Sequence, residues 1–344
     1  MKAMQLTGLR QMDLFNVADP IIKNDTDVLI RMTHVGVCGS DVHYYTTGHI
    51  GSQIVQYPFT VGHEGAGIIE KVGSKVSKVK PGDRIAIDPA MPCYTCDQCK
   101  AGRFHTCRNL KFLGCPGQAE GCLSEYIVMP ETSCYIIPDN LSPEDAALSE
   151  PLTIGVYAVK LAQTNPGMNI AIFGCGPIGL SVLAALQVHS PGKIYVTDKL
   201  DYRLSIATQS GANWTGNPLK QDIVKDITDK EPLLTDMVFE CCGQQETADQ
   251  ALKILKPGGK LVQIGIPEFD KFSFSADLMR RKELCIQNVR RQNETLHECL
   301  HLMQKGLLKA DHWVTHRFKL AQCKDAFDLV ASYSDGVVKA MIEI

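Results

Sequence analysis

Gly174-Cys175-Gly176-Pro177-Ile178-Gly179 lies between an apolar run, residues 169–173, and a stretch of helix formers, residues 178–188. A strand, a Gly-x-Gly-x-x-Gly turn and a helix in that order make a phosphate-binding unit. Gly174 permits the tight turn, Gly176 lets the backbone approach a pyrophosphate, and Gly179 allows close helix–sheet packing. The helix opening at Pro177 and Ile178 offers free N–H groups and a positive dipole end to phosphate oxygens. Asp198 follows Gly179 by nineteen residues and closes a second strand candidate, residues 193–197. A carboxylate there hydrogen-bonds an adenosine ribose 2′-hydroxyl and repels a 2′-phosphate, which argues for NAD over NADP. Lys199 and Arg203 are near enough in sequence to soften that preference, and Arg203 joins the candidate cofactor-binding residues.

Further strand candidates at 237–240 and 260–264 are separated by helical stretches such as 246–255. That alternation implies a parallel sheet covered on both faces. The pattern before residue 153 is different. Residues 28–32, 66–73 and 84–87 are short strand candidates broken by turn signals such as Lys80-Pro81-Gly82-Asp83, so a sheet or small barrel suits this part. The tail changes again. Leu296, Leu300 and Met303 recur at helical spacing within 295–304, and 337–344 closes the chain as a strand. A length of 344 residues fits two domains.

Four of the fourteen cysteines cluster as Cys93-x2-Cys96-x2-Cys99-x7-Cys107. Four thiolates in fifteen residues can wrap one tetrahedral Zn²⁺ with no open position, a structural site for a loop too short to have its own core. An iron–sulfur cluster is the alternative for such a set. Three other short segments carry chemistry. Cys38, Ser40 and His43 share what reads as one short turn, Gly62-His63-Glu64 follows, and Ser149-Glu150-Pro151 comes later. A cysteine, a histidine and a carboxylate suit a zinc site that keeps a position open for a substrate oxygen.

With these segments together, the sequence resembles the zinc-dependent medium-chain dehydrogenases over essentially its whole length. Within them it is most similar to the sorbitol (polyol) dehydrogenase branch, on Cys38-Gly39-Ser40-Asp41-Val42-His43-Tyr44-Tyr45, Gly48-His49-Ile50-Gly51 and Glu150. The resemblance implies an α/β protein: a GroES-like β-barrel catalytic domain from residues 1–153 and 292–344, with a structural-zinc lobe at 91–110, and an inserted Rossmann domain, a doubly wound parallel sheet, at 154–291. The family's active site lies in the cleft between the two. It implies two Zn²⁺ per chain, with the catalytic ion on Cys38, His63 and Glu64 and with Glu150 bound directly or through water. Adjacent strand residues point to opposite faces, so a local turn is needed for His63 and Glu64 to reach one ion. Ser40 and His43 are implied as the proton route, and Tyr44, Phe112, Glu150 and Arg291 as substrate contacts. Arg290 and Gln292 stand where the family has aromatic residues, and a second arginine suits an acidic sugar. The cysteine quartet is a further departure from the animal enzymes, although many bacterial relatives keep it.

The expected activity is reversible oxidation of a polyol hydroxyl to a ketose with NAD. Alternatives are a sugar acid, threonine or a simple alcohol as substrate, or a non-enzymatic zinc-knuckle binding module. The last expects a basic face, and Lys100, Arg103, Arg108 and Lys111 make the quartet's surroundings only mildly so. Lys plus Arg total 35 against 38 Asp plus Glu, a net charge of −3, which speaks against nucleic-acid or anionic-membrane partners. Neither an 18-residue apolar run nor the apolar core of a signal peptide is present, so a cytoplasmic protein is expected, as a homodimer or homotetramer.

Overall fold

The computed structural model describes residues 1–344. The chain forms two compact units, one from Met1–Glu150, Leu296–Gly306 and Asp311–Ile344, the other from Pro151–Thr295 and Leu307–Ala310. The divisions expected at 153/154 and 291/292 therefore fall at 150/151 and 295/296. The first of them lies inside one helix, Pro143–Ala162, at the internal Pro151. Proline has no N–H to give the carbonyl one turn earlier, which weakens the helix at that point.

The first unit is built on a seven-stranded sheet. Its order is Cys134–Ile136, Arg84–Ile87, Glu64–Val72, Asp27–Gly36, Lys339–Glu343 and Val314–Lys319, with Tyr126–Pro130 also paired to Asp27–Gly36. Val28, Ile30, Met32 and Val35 face one buried cluster with Ile69, Ile85, Ile87, Phe327 and Ile342. The last strand of the chain thus packs beside one of the earliest, with Ile342 opposite Val35. A hairpin of Lys2–Gly8 and Gln11–Asn16 was not foreseen from the sequence.

The segment read as a short turn around Cys38 is a helix, Gly39–Thr47, with Cys38 as its N-cap and Gly48 closing it in the left-handed region at φ 76°. Its Thr, Tyr and His residues are modest helix formers, so tertiary packing decides the outcome. Tyr44 and Tyr45 are buried, and the Tyr45 hydroxyl donates to Asp328 at 2.7 Å with the Arg10 carbonyl oxygen 3.0 Å away.

The second unit carries six parallel strands in the order Trp214–Gly216, Ile194–Thr197, Ile170–Phe173, Thr235–Glu240, Leu255–Gln263 and Cys285–Asn288. Counted along the chain this is 3-2-1-4-5-6, the doubly wound dinucleotide-binding order. The order reverses between Ile170–Phe173 and Thr235–Glu240, where such sheets bind ligands beyond the strands' carboxyl ends. The glycine loop leaves the sheet at that point and leads into the helix Pro177–Val188. Gly174 has φ 90°, and a Cβ on Gly179 would lie 1.9 Å from the Gly174 carbonyl oxygen. Gly179→Ala must therefore push the helix off the strand. Overpacking of this kind costs about 1–3 kcal/mol, or about 3–10 °C in a domain of this size. Calorimetry should show that loss together with weaker dinucleotide binding, and an unchanged midpoint would mean the helix is not seated as described.

Candidate active site

Cys38, His63 and Glu64 come together from three local arrangements. Cys38 ends a run from the Asp27–Gly36 strand and stands at the N-cap of the Gly39–Thr47 helix. His63 lies outside any strand, and Glu64 is the first residue of Glu64–Val72. Between them and the preceding chain, Gly62 adopts φ 101° and sits against Leu123 and Val35. This left-handed step turns the chain immediately before the pair. The Cys38 Sγ, a His63 ring nitrogen and a Glu64 carboxylate oxygen lie within 4.8 Å of one another. Gly36, directly opposite Glu64 in the sheet, leaves room for that carboxylate, since a Cβ there would be 2.1 Å from Oε2.

The electrostatics suit a cation. Burial alone would push the His63 imidazole down, but the Asp41 carboxylate and Cys38 thiolate outweigh it and hold it well above its usual range. Asp41 Oδ1 lies 3.3 Å from His63 Nδ1. A carboxylate on one ring nitrogen fixes the tautomer and leaves the other to face an ion. Glu150, 6% exposed on Pro143–Ala162, is raised to about 7 by burial, with Glu64 adding to the shift and His63 and Lys339 opposing it. Its carboxylate is not one of the three converging atoms. The Ser40 hydroxyl reaches Cys38 Sγ at 3.3 Å. Ser40, His43 and Tyr44, three and four apart, share one face of their helix.

Cys93, Cys96, Cys99 and Cys107 also present sulfurs within 4.8 Å of one another. The separations are 3.6 Å for Cys96–Cys99, 3.9 Å for Cys96–Cys107 and 3.4 Å for Cys93–Cys107. A tetrahedral ion with bonds of ~2.3 Å has sulfur–sulfur edges of about 3.8 Å. Donors point at the sulfurs: the Cys93 and Asn109 amides at Cys107 (3.2 and 3.4 Å), the Thr95 hydroxyl at Cys93 (3.5 Å). Hydrogen bonds from Thr95 and the Cys96 amide bring Cys93 down to about 5. Both donor sets therefore fit zinc, the first with a position open and the second closed.

In the second unit, Asp198 follows the Ile194–Thr197 strand. Its Oδ2 accepts the Cys175 N–H of the glycine loop at 2.7 Å and its Oδ1 the Leu200 N–H at 2.9 Å. Arg203 stands 3.9 Å from the same carboxylate, with Nη1 3.3 Å from where a Cβ on Gly176 would be. Glu240, at the end of the fourth strand, accepts from Cys242 N, Gly243 N and Thr247 Oγ1, which anchors the loop facing Gly174.

Residues 24–139 match the family model for an alcohol dehydrogenase GroES-like domain, and residues 177–305 match that for a zinc-binding dehydrogenase. The chain is 35% identical to a sorbitol dehydrogenase of Bacillus subtilis over 99% of its length and 97% of the relative's. The chain belongs to the zinc-binding dehydrogenase family. Within it the dehydrogenase is sorbitol-dehydrogenase-like. It is also 33% identical to an L-idonate 5-dehydrogenase of Vitis vinifera, over 92% of this chain and 88% of that one. A zinc-binding dehydrogenase of Sinorhizobium meliloti, solved bound to NADP, superposes with a TM-score of 0.91 at 28% identity, covering 100% of this chain and 99% of that one.

The remaining expected site residues are placed as follows. The Tyr44 hydroxyl donates to Gln53 at 2.9 Å and lies 3.9 Å from Cys115 Sγ, and the Phe112 ring is 5.5 Å from His63. In the second unit Arg290 is exposed, and Arg291 is half-buried with φ 54°. Gln292 is buried, and its Oε1 accepts the Thr295 amide (3.0 Å) and hydroxyl (3.2 Å). It shapes a turn of the dehydrogenase. Sequence reasoning passed over two residues. Asp41 was quoted within its motif and given no role, although a carboxylate one helical turn from Cys38 was the available signal. Lys339 was not singled out. Its signal is a lone charge inside the apolar run Val337-Val338-Lys339-Ala340-Met341-Ile342. No helix of the dehydrogenase is long and apolar enough to cross a membrane.

Proposed function

We propose that the dehydrogenase reversibly oxidises a secondary hydroxyl of a polyol, such as sorbitol or xylitol, to the ketose with NAD. The observation that carries this reading is the Cys38–His63–Glu64 donor set, with His63 and Glu64 buried and Cys38 half-buried, its three ligand atoms within 4.8 Å and the second carboxylate, Glu150, in the same electrostatic field. A zinc ion held by these residues would supply Lewis acidity toward a substrate oxygen, and a dinucleotide held at the glycine loop would supply a hydride acceptor.

The chain's own residues do the rest. Cys38, His63 and Glu64 hold the ion, and Asp41 orients His63. Ser40 takes the hydroxyl proton and His43, one turn along the helix, passes it outward. Glu150, buried on Pro143–Ala162, would exchange a proton with a water or substrate hydroxyl bound beside it. Tyr44 and Phe112 line the polyol side, and Arg291 contacts substrate hydroxyls on the family's pattern. The Cys93–Cys107 quartet holds a second, structural zinc. Gly174, Gly176 and Gly179 cradle the pyrophosphate, and the Asp198 carboxylate faces the ribose and disfavours NADP, with Arg203 as the opposing charge. The relatives named sorbitol dehydrogenase support the polyol. Arg290 beside Arg291, and the L-idonate relative, favour a second reading in which the substrate is a sugar acid.

The test is dinucleotide reduction, followed by absorbance, across polyols, sugar acids, threonine and simple alcohols, before and after chelation. Chelator-sensitive activity with polyols and NAD is expected. Activity confined to sugar acids would transfer the substrate to the second reading, and activity only with NADP would overturn the role of Asp198.

A further inference from the structure

Lys339 is 2% exposed, in the strand Lys339–Glu343, 275 residues along the chain from Glu64. Its Nζ donates to Glu64 Oε1 at 2.7 Å, to Glu64 Oε2 at 2.6 Å and to the Val37 carbonyl at 3.1 Å. Those three bonds use every hydrogen of the ammonium. The Val37 N–H bond to the Ala340 carbonyl at 3.0 Å fixes the strand beside it. An ammonium this deeply buried needs compensating charge, and the groups around it are Glu64, Cys38 and Glu150. Two of these belong to the converging donor set. The carboxylate that would bind the metal is therefore already bound, through both oxygens, to a cation. Gly36, with no side chain, leaves room for the carboxylate where it lies.

We propose that Lys339 is a built-in counter-cation that competes with the metal for Glu64, holding the site assembled when it is metal-free and loosening the metal when it is bound. This rests on the metal reading of Cys38, His63 and Glu64 given above. An ammonium and a divalent ion sharing one carboxylate in a low-dielectric interior repel each other. The coupling is reciprocal, so whatever Lys339 contributes to the metal-free state it subtracts from metal affinity. This is opposite in sign to the usual outer-shell partner, whose loss costs about 10–100-fold in metal affinity.

The test compares wild type, Lys339→Met and Lys339→Arg as full chains loaded with cobalt(II). The visible bands of the one-thiolate site are followed during chelator competition, and the metal-free proteins are followed in thermal unfolding. Lys339→Met should hold cobalt at that site about tenfold or more tighter, and Lys339→Arg should behave as wild type. Metal-free Lys339→Met should unfold about 5–15 °C lower than metal-free wild type, because a buried carboxylate has lost its partner, with a smaller gap between the loaded forms. Should Lys339→Met fail to fold without metal, zinc present during refolding should recover it, and failure to recover would overturn the proposal. Weaker or unchanged cobalt binding in a folded Lys339→Met, with two metal equivalents in wild type, overturns the Lys339 proposal alone. Uptake of one equivalent by wild type, with four-thiolate bands only, overturns the metal reading and this proposal together.

Discussion

Cys38→Ser should lower kcat/KM for a polyol by about 10³-fold or more while the protein keeps its fold and one zinc per chain. Lewis-acid stabilisation is worth several kcal/mol, and each 1.36 kcal/mol is a factor of ten in rate. A serine hydroxyl at the N-cap of Gly39–Thr47 is not among the zinc ligands that proteins use, whereas a cysteine sulfur is. The geometry is conserved by the substitution and the donor is not. Steady-state kinetics combined with zinc analysis separates the outcomes: a variant with full activity, or one that still carries two zinc ions, removes Cys38 from the site. Serine should also keep the helix start, because serine is a favoured N-cap. A large fall in activity in a folded variant that keeps one zinc ion is therefore the diagnostic pattern.

Cys99→Ser should have the largest effect on stability. It should lose the other zinc ion, expose the segment around residues 93–107 to proteases and lower the unfolding midpoint by about 10 °C or more. Structural zinc contributes about 10–16 kcal/mol of apparent binding energy in small sites, and that energy is folding energy. The segment has little else to hold it. Its regular structure is the four-residue helix Asp97–Lys100 and a single short 3₁₀ turn, and its buried side chains are Cys99, His105 and Cys107. The Asp97–Arg108 pair closes the loop from outside, with its better bond at 2.5 Å, but solvent screens an exposed pair of this kind and leaves it little weight. Since four sulfurs leave the ion no open position, kcat per folded molecule should survive. Zinc counting and limited proteolysis check this, and a protected loop with two zinc ions would mean that Cys99 is not a ligand.

Much of the chain could be read without coordinates where the informative contacts are local. The glycine loop, the strand before it and the helix after it lie within about twenty residues, and each glycine answers a steric demand that neighbouring residues already define. The cysteine quartet is similarly short-range. The helix at Cys38 was misread for the opposite reason: its residues are weak helix formers, and Tyr44 and Tyr45 hold it through burial and through Asp328. The resemblance named His63 and Glu64 together, and Gly62 at φ 101° turns the chain just before them.

The sequence by itself determined the strand–glycine loop–helix unit and the close spacing of the four cysteines, because turn chemistry, hydrophobic period and ligand spacing act between residues close along the chain. Only the tertiary structure decided what surrounds Glu64. Gly36 meets it through sheet register, Asp41 meets His63 across a turn, and Lys339 arrives from the far end of the chain in the strand beside Asp27–Gly36. A buried ammonium is tolerable only where distant segments have assembled the charges that compensate it, and no spacing along the chain encodes that meeting.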